Sequence, residues 1–311
     1  MISVLGAGVV GLCVATSLFE AGFAVEVIEP EGSPAPVSWL AGGMLAPFCE
    51  GESAPEIIVT QGQAALEWWA AHVTAIEQRG TLVLAAPRDA KELDRFARAT
   101  RAHCWVEPGK LESQLEGRFA RGLFFGTEAH MDPRAALNAL RERLRARGVV
   151  FHEGTPSGRI VDCRGMAAAS SLVDLRPVRG EMLEVVTPEV CLTRPVRLLH
   201  PRFPCYIVPR GEGRYMIGAT MVESARPGAV TARAVMELLS AAYTVHPAFA
   251  EAELVATGAG LRPSFPDNIP AIRRDRDRIH VNGMYRHGFL MAPVLASALV
   301  QIMMEELGHA H

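Results

Sequence analysis

The sequence predicts a mixed α/β (α+β) fold in which a parallel, nucleotide-binding sheet is combined with a largely antiparallel one. Three observations lead to this prediction. A strand, a glycine-rich turn and a helix open the chain, a similar apolar strand returns at residues 158–165, and closely spaced β-rich segments follow within residues 181–220. We therefore predict two discontinuous domains, a nucleotide-binding domain of residues 1–78, 133–180 and 257–311 and a substrate domain of residues 79–132 and 181–256.

Composition limits the class of protein before any motif is considered. The 311 residues are 49% hydrophobic and 21% charged, which is typical of a globular chain with ample core. The net charge of −3, without a basic run, argues against a nucleic-acid partner. The six cysteines are scattered without a CxxC pair, so we expect a reducing, cytoplasmic location and no disulfide framework.

Neither a leader nor a membrane span is predicted. The start, "MISVLGAG", lacks a basic region and a cleavage site, and resembles a first strand. The apolar run 288–304 contains Pro293, Ser297 and Gln301. It is shorter than the roughly 20 residues that span a bilayer, so we expect a buried core helix. The sequence predicts no metal site and leaves open whether the chain forms a homo-oligomer.

The first thirty residues have the organisation of a dinucleotide-binding unit. An apolar strand at Ile2–Leu5 precedes a GxGxxG turn and a helix over Val10–Leu18, and a second strand at Ala24–Ile28 ends on Glu29. In this arrangement the first glycine allows a tight turn, the second lets the backbone approach a pyrophosphate, and the third lets the helix pack closely. The predicted cofactor contacts of this unit are Gly6, Gly8, Val9, Val10, Gly11 and Glu29.

The identity of the dinucleotide is only partly decided by this unit. The free N–H groups at the start of the helix would bind a diphosphate, and the Glu29 carboxylate would accept both ribose hydroxyls. That carboxylate would repel a 2′-phosphate, and no arginine follows in "EPEG", so NADP is disfavoured. The motif alone does not choose between NAD and FAD.

The segment "VSWLAGGMLAP" (37–47) stands where an ordinary NAD-binding domain would carry another strand and helix. It is small, glycine-containing and apolar, which suits close passage beside a large flat ring. A purely structural loop explains the segment equally well. The predicted cofactor contacts in it are Ser38, Gly42, Gly43 and Met44.

The middle of the chain alternates helical and strand-like patterns. Helices are predicted at residues 62–79, 89–101, 133–147 and 231–245, the third opened by Asp132 and Pro133 as N-cap and first residue and the last capped by Thr231. Strands are predicted at residues 81–86, 122–129, 158–165, 181–187, 205–210 and 214–220.

Five motifs in order resemble the FAD-dependent D-amino-acid oxidase/glycine oxidase superfamily, and most closely the glycine oxidases of bacterial thiamine biosynthesis. They are GxGxxG, "SWLAGGMLAP", "CYIVPR" with "YMIGATM", "GAGLRPSFPDNIPAI" and "VNGMYRHGFLMAP". The resemblance implies a Rossmann-like FAD-binding domain with an inserted substrate domain on a mixed, largely antiparallel sheet.

The resemblance also implies a reaction and its partners. Hydride passes from the α-carbon of glycine or another small amine to the flavin, the imine product hydrolyses or is handed on, and dioxygen reoxidises the flavin with formation of hydrogen peroxide. Thiazole synthesis for thiamine is the implied pathway, and its enzymes are the implied partners. Related sarcosine oxidases hold flavin covalently through a late cysteine, whereas this chain has none after Cys205. Non-covalent FAD is therefore expected.

The substrate residues carry over by position. Arg262 in "GLRP" matches the arginine that clamps the substrate carboxylate, a task suited to its planar fork. Tyr206 matches an aromatic hydroxyl at the same carboxylate. Met221 matches an apolar wall, although core packing explains this residue nearly as well. Arg286 matches a second basic residue facing the substrate carbonyl and the flavin; its alternative role is to cap neighbouring carbonyls.

The last motif carries the predicted flavin contacts. A loop bracketed by Gly283 and Gly288 would pass close to the isoalloxazine ring, and the following helix, from about Phe289 to Leu307, would point its amino end at the N1/C2=O edge. His287 is the tempting base, but a structural role is favoured and no side-chain base is predicted. The predicted flavin contacts of the carboxyl-terminal half are Gly165, Arg262, Gly283, Arg286, His287, Gly288, Phe289 and Leu290.

Two departures from the family pattern bear on cofactor affinity. The segment "VVFHEGTPSGRIVDCRG" is too short for the usual β-meander against the adenosine, and "CRGMAA" stands where an ATG-like turn is expected. Three rival functions also stay open: a D-amino-acid dehydrogenase that reduces a quinone, a catalytically inactive flavin-binding subunit, and an NAD-dependent dehydrogenase.

Overall fold

The structure is a computed structural model that describes residues 1–29, 35–200, 205–275 and 277–308. Its β-strands, in chain order, are β1 Ile2–Leu5, β2 Val25–Ile28, β3 Met44–Leu45, β4 Ile76–Glu77, β5 Thr81–Ala85, β6 Cys104–Val106, β7 Gly122–Phe125, β8 Ala129–Met131, β9 Val150–His152, β10 Arg159–Asp162, β11 Arg176–Val186, β12 Val196–Leu199, β13 Cys205–Pro209, β14 Arg214–Gly218, β15 Val222–Glu223, β16 Glu253–Ser264, β17 Ala271–Asp275 and β18 Arg278–Asn282. Its α-helices are α1 Val9–Glu20, α2 Pro47–Glu50, α3 Glu56–Gly62, α4 Ala65–His72, α5 Ala90–Ala99, α6 Pro108–Leu111, α7 Pro133–Ala146, α8 Ala232–Val245 and α9 Gly288–Gly308.

The predicted nucleotide-binding sheet is present. Its strands lie in the order β9-β2-β1-β10-β18-β17, and all neighbours are parallel except β17 and β18. Leu5, the last residue of β1, is in register with Ile28 of β2 and with Asp162 of β10. The glycine turn, Glu29 and the turn after β10 therefore leave the sheet at the same edge, where ligands of such sheets bind.

Two helices, α1 and α9, pack against each other beside this sheet. α1 packs along α9, and α9 also contacts α3 and α4. By length and composition α9 could cross a membrane. Its buried residues, among them Met291, Leu299 and Met303, instead belong to the hydrophobic core that also contains the α1 side chains. This packing is that of a core helix, as predicted.

The second sheet has nine strands, in the order β15-β11-β14-β13-β12-β5-β7-β6, with β16 also paired to β11. All its pairings are antiparallel except that of β5 with β12, which confirms the predicted mixed, largely antiparallel sheet. α8 begins after Thr231, whose hydroxyl accepts the Ala234 amide as predicted for an N-cap.

The longest strand pair of this sheet, β11 with β16, contains a strand that the sequence patterns did not predict, β16. β16 follows β11 over its whole length, from Arg176 opposite Ser264 to Val186 opposite Glu253. β16 contains two glycines and a proline, which are poor strand formers. Because β11 and β16 run across residues 180 and 256, the two predicted domains share this strand pair at their margins, and the exact boundaries stay a prediction.

Two element predictions are wrong. Of the single helix predicted over residues 62–79, only Ala65–His72 is helical, as α4; α3 has already ended at Gly62, and the chain is extended after His72. The β-branched residues Val73, Thr74 and Ile76 favour that extension, and β4 then pairs with β8 in a small three-stranded sheet with β3. The predicted strand at 122–129 is likewise two strands, since the Glu128 amide donates to Phe125 in a turn that takes the chain from the large sheet to the small one.

Candidate active site

The amino ends of α1 and α9 lie side by side. A β-carbon at Gly288 would come within 3.2 Å of the Val9 side chain. Within the described residues, the amides of Val10 and Gly11 in α1 and of Gly288 and Phe289 in α9 have no hydrogen-bond acceptor. Two helix ends with free N–H groups are a favourable place for negative charge.

The glycine turn has the shape that close approach of a phosphate needs. Gly6 has φ +93°, a region that disfavours side chains. A β-carbon at Gly11 would lie 1.8 Å from the Gly6 oxygen, so the third glycine is required for α1 to pack on the turn. A β-carbon at Gly8 would reach the Ser38 hydroxyl, and that hydroxyl accepts the Val9 amide at 3.2 Å. The predicted contact residue Ser38 therefore lies at the amino end of α1.

The segment 41–44 leads from the nucleotide sheet into the candidate substrate site. Arg210 holds it there, because its guanidinium donates to the carbonyls of Ala41 and Gly42 at 3.1 and 2.9 Å. A β-carbon at Gly42 would come within 2.9 Å of the Tyr206 ring. Gly43 has φ +67°, and its carbonyl accepts a hydrogen bond from the Met131 amide at 3.0 Å. Of the predicted contacts here, Gly42 faces the substrate residue Tyr206, whereas the Gly43 backbone serves the fold.

Arg262 lies on β16 with its guanidinium flat against the backbone of β11. A β-carbon at Gly180 would lie 2.2–2.5 Å from the guanidinium atoms, so only glycine permits this position. One N–H group donates to the Thr220 carbonyl at 3.0 Å. Burial lowers the pKa of the Arg262 guanidinium from its usual value. A partly buried arginine that makes a single hydrogen bond within the described residues retains donors for an anionic ligand.

Tyr206 and Met221 lie close to this arginine in the structure. Burial raises the pKa of the Tyr206 phenol, and the charge of Arg262 opposes that shift. Met221 follows Thr220 directly, and its sulfur accepts contacts from the Tyr285 hydroxyl at 3.4 Å and from Arg286 at 3.5 Å. Met221 is 39% exposed, which argues against plain core packing and fits an apolar wall of an open site.

Arg286 reaches the same place but already has anionic and polar partners. Its Nε donates to the Glu50 carboxylate at 2.7 Å, and a terminal nitrogen donates to the Ser53 hydroxyl at 2.7 Å. The arginine is therefore an element of an ion pair at the margin of the site. Among the described residues it makes no hydrogen bond to a backbone carbonyl, which was the alternative role.

Glu50, at the end of α2, is the site residue that sequence reasoning missed. Burial alone would raise the pKa of its carboxyl, but the neighbouring cations, Arg286 first, outweigh burial and lower that pKa to about 2. A further arginine, Arg197, lies 4.0 Å from it and 3.2 Å from Glu52. The charge of Glu50 also acts on Tyr206 and Arg262. The negative charge of Glu50 therefore lies close to the groups predicted to bind substrate, which are Tyr206, Arg262 and Arg286.

His287 does not face the site as a base would. It is 2% exposed, its Nδ1 lies 3.5 Å from Glu50, and burial lowers its pKa to about 4, which leaves the imidazole neutral at neutral pH. Its backbone carbonyl accepts the amides of Leu290 and Met291. The position supports the structural role, as favoured from the sequence; contact with the cofactor through this side chain stays an untested prediction.

Comparison with known proteins decides the family. The family described as FAD-dependent oxidoreductase matches residues 1–302. The chain belongs to this family. A Rhizobium etli protein named for thiamine biosynthesis, ThiO, is 52% identical over 99% of this chain and 97% of its own length. A glycine oxidase of Bacillus licheniformis is 27% identical over 97% of this chain and 92% of its own length.

Solved structures of other oxidases share the fold of this chain. The glycine oxidase of Geobacillus kaustophilus superposes with a TM-score of 0.80 at 23% identity, covering 98% of this chain and 94% of that one. An iminodiacetate oxidase of Chelativorans gives 0.81 at 20% identity, with 98% and 95% coverage. The predicted fold class and the prediction of an FAD-dependent oxidoreductase related to glycine oxidases are thereby confirmed.

The observed geometry fits FAD. The glycine turn and the two helix ends offer free amides to a diphosphate and to the edge of the flavin that gains negative charge on reduction. Among the predicted flavin contacts, the amide of Leu290 is already bonded to His287, while its side chain lies against Gly62. The Phe289 side chain stacks on Trp69. If these two residues contact the cofactor, the backbone of the first turn makes the contact.

The loop before α9 is held in place by contacts with other parts of the protein. Gly283 has φ +81°, and a β-carbon there would lie 2.2 Å from the Phe265 ring, so the neighbour that demands glycine is this phenylalanine. The Tyr285 amide donates to Pro263 at 2.7 Å, and the Asn282 side chain donates to the Gly165 carbonyl at 2.9 Å. The loop is thus tied both to the end of β16 and to the turn after β10.

Glu29 lies at the predicted place, after β2, but it has a partner that the sequence did not reveal. Arg141 of α7 binds both carboxylate oxygens, at 2.6 and 3.0 Å. A carboxylate has about four acceptor positions, so two remain for ribose hydroxyls. Arg141 therefore fixes the orientation of Glu29 without occupying all of its acceptors.

Proposed function

We propose that the protein oxidises glycine or another small amine or amino acid, with FAD as the hydride acceptor and dioxygen as the final oxidant. For glycine, the balanced reaction consumes glycine, dioxygen and water and yields glyoxylate, ammonia and hydrogen peroxide, with the imine as the primary product. The observation that carries this proposal is Arg262, a partly buried guanidinium with a single hydrogen bond to the part of the chain that the structure describes, beside Tyr206 and Met221.

The residues bind and orient the substrate in this scheme. The guanidinium of Arg262 holds both oxygens of the substrate carboxylate, and the Tyr206 hydroxyl donates to one of them. Met221 borders the α-carbon of the substrate, and this apolar wall disfavours substrates that carry a charged side chain. His287 is buried, and burial lowers its pKa to about 4, so its imidazole is too weak and too enclosed a base for the substrate amine. The amine therefore has to arrive neutral, and the site then only needs to align the α-carbon. The flavin, when bound, supplies the two-electron acceptor.

We propose a cytoplasmic role in making the thiazole of thiamine. The support is the 52% identity to the ThiO of Rhizobium etli. A protein of Trichormus variabilis named as a bifunctional ThiO/ThiG is also 23% identical over 100% of this chain and 54% of its own length. A relative that is joined to a second activity suggests that the imine is delivered to a thiazole-forming partner.

The experiment that tests the reaction measures substrate consumption and peroxide formation together. Equal amounts of glycine consumed, glyoxylate formed and peroxide formed in air support the proposed oxidase. Glycine oxidation that needs an added quinone and yields no peroxide would replace it with the dehydrogenase. Absence of turnover with every acceptor, in protein that contains FAD, would point to the inactive flavin-binding subunit.

FAD is expected to be released by acid or heat. The thiols of Cys49 and Cys205 are buried, and burial raises the pKa of both, that of Cys205 to about 12, so neither is a reactive thiolate at neutral pH. The check is the absorbance of the supernatant after acid precipitation of the yellow protein. Yellow colour that stays with the precipitated polypeptide would contradict non-covalent binding.

A further inference from the structure

We propose that Arg164 binds the diphosphate of FAD. The residue stands in the turn after β10, in "CRGMAA", where no arginine was predicted to have a role. The proposal concerns the cofactor that the family establishes, and it is independent of the amino acid that the protein oxidises.

The register of the sheet places Arg164 beside the glycine turn. Asp162 is opposite Leu5, and the Cys163 amide donates to the Leu5 carbonyl at 2.9 Å. The chain therefore leaves β10 next to the point at which the glycine turn leaves β1. A β-carbon at Gly6 would be 3.3 Å from both Cα and Cγ of Arg164. The arginine stem thus lies against the first glycine of the phosphate-binding turn.

Asp162 holds the guanidinium in a fixed orientation. This carboxylate is completely buried, and it accepts Nε of Arg164 at 2.9 Å and Nη2 at 2.5 Å. The second terminal nitrogen, Nη1, has no hydrogen-bond partner in the described part of the chain, and the side chain is 32% exposed. A guanidinium bound on one side and open on the other is pre-organised to donate to an anion.

The shape of this chain gives such a cation a task. β9 and β10 are joined by residues 153–158 only, so little chain is available to cover an adenosine. Because this short connection encloses little of the adenosine, a larger share of the affinity for FAD has to come from positive charge at the diphosphate. The free amides of Val10 and Gly11 provide part of that charge, and Arg164 adds a full cation at the same edge of the sheet.

Binding to the apoprotein tests the proposal without any turnover. FAD, ADP and riboflavin are titrated into apoprotein of the parent, Arg164→Gln and Arg164→Lys, with Arg159→Gln as the matched control. Arg159 lies at the opposite end of β10 from the glycine turn and pairs with Glu306, so its replacement removes the same charge away from the proposed site. Thermal unfolding of each apoprotein shows whether the fold is retained.

Arg164→Gln is expected to weaken FAD and ADP by about 10- to 100-fold, the loss that follows from one charge-assisted hydrogen bond. Riboflavin, which lacks the diphosphate, should bind as before, and Arg164→Lys should restore part of the affinity. The dependence of FAD affinity on salt should also become weaker. Equal loss for all three ligands would assign Arg164 a purely structural role, and unchanged affinities would show that the arginine does not touch the diphosphate; either result overturns the proposal.

Discussion

Replacing Arg262 with alanine is expected to lower kcat/KM for glycine by about 30- to 1,000-fold, because a bidentate clamp on a desolvated carboxylate is worth roughly 2–4 kcal/mol. The loss should be almost entirely functional. Among the residues that the structure describes, the arginine has one hydrogen bond, to the Thr220 carbonyl, and it lies against a glycine whose backbone remains in place. Flavin content and thermal unfolding of the variant should therefore stay close to those of the parent.

Steady-state kinetics with two companion variants make this test specific. Arg262→Lys keeps the charge but loses the planar fork, so its activity should lie between the parent and the alanine variant. Arg101→Ala, which removes an exposed arginine paired with the exposed Glu56, serves as the control and should behave like the parent. Unchanged catalytic efficiency in Arg262→Ala would mean that another residue binds the substrate carboxylate.

The ion pair between Arg286 and Glu50 is expected to set the reducibility of the flavin. Arg286→Ala leaves the Glu50 carboxylate without its main partner, so a negative charge opposes the charge that the flavin gains, and the reduction potential should fall. Glu50→Gln leaves Arg286 uncompensated and should raise the potential. Both shifts are expected to be on the order of tens of millivolts, since solvent screens an incompletely buried pair.

Redox titration and anaerobic stopped-flow reduction separate this account from a structural one. Reduction by glycine should be slower in Arg286→Ala, and the double variant Arg286→Ala/Glu50→Gln should recover the potential of the parent more fully than either single variant. Shifts of the same sign in both single variants would reveal a distorted site, and parent-like values in all three would show that the pair has no influence on the flavin.

Local patterns predicted the parts of the fold that depend on neighbours in sequence. The strand–turn–helix unit from Ile2, the N-cap residues Asp132 and Thr231, and the core helix after Gly288 were all predicted from short stretches of chain and lie where expected. These features arise from glycine conformation, capping hydrogen bonds and apolar spacing, which a single segment contains. Family resemblance added Arg262, which no local pattern would identify.

What the sequence did not reveal depends on contacts between distant segments. Glu50 and Arg286 are 236 residues apart, and Glu29 and Arg141 are 112 residues apart. An isolated glutamate after "APFC" has no pattern that distinguishes it from a surface charge. β16 was missed for a different reason: its glycines, Gly258 and Gly260, let the Leu40 side chain lie against the strand, and the same glycines remove the strand signal.

The central claim is that this site delivers electrons from a small amino acid to the flavin, and anaerobic titration of the purified, flavin-loaded protein tests it most directly. Glycine, sarcosine and D-alanine are added in turn while the flavin absorbance is recorded. The account predicts that at least one of them, glycine first, bleaches the oxidised flavin to completion, and that Arg262→Ala requires far more substrate. A flavin that all three amino acids leave fully oxidised, in protein that dithionite can still reduce, would contradict it.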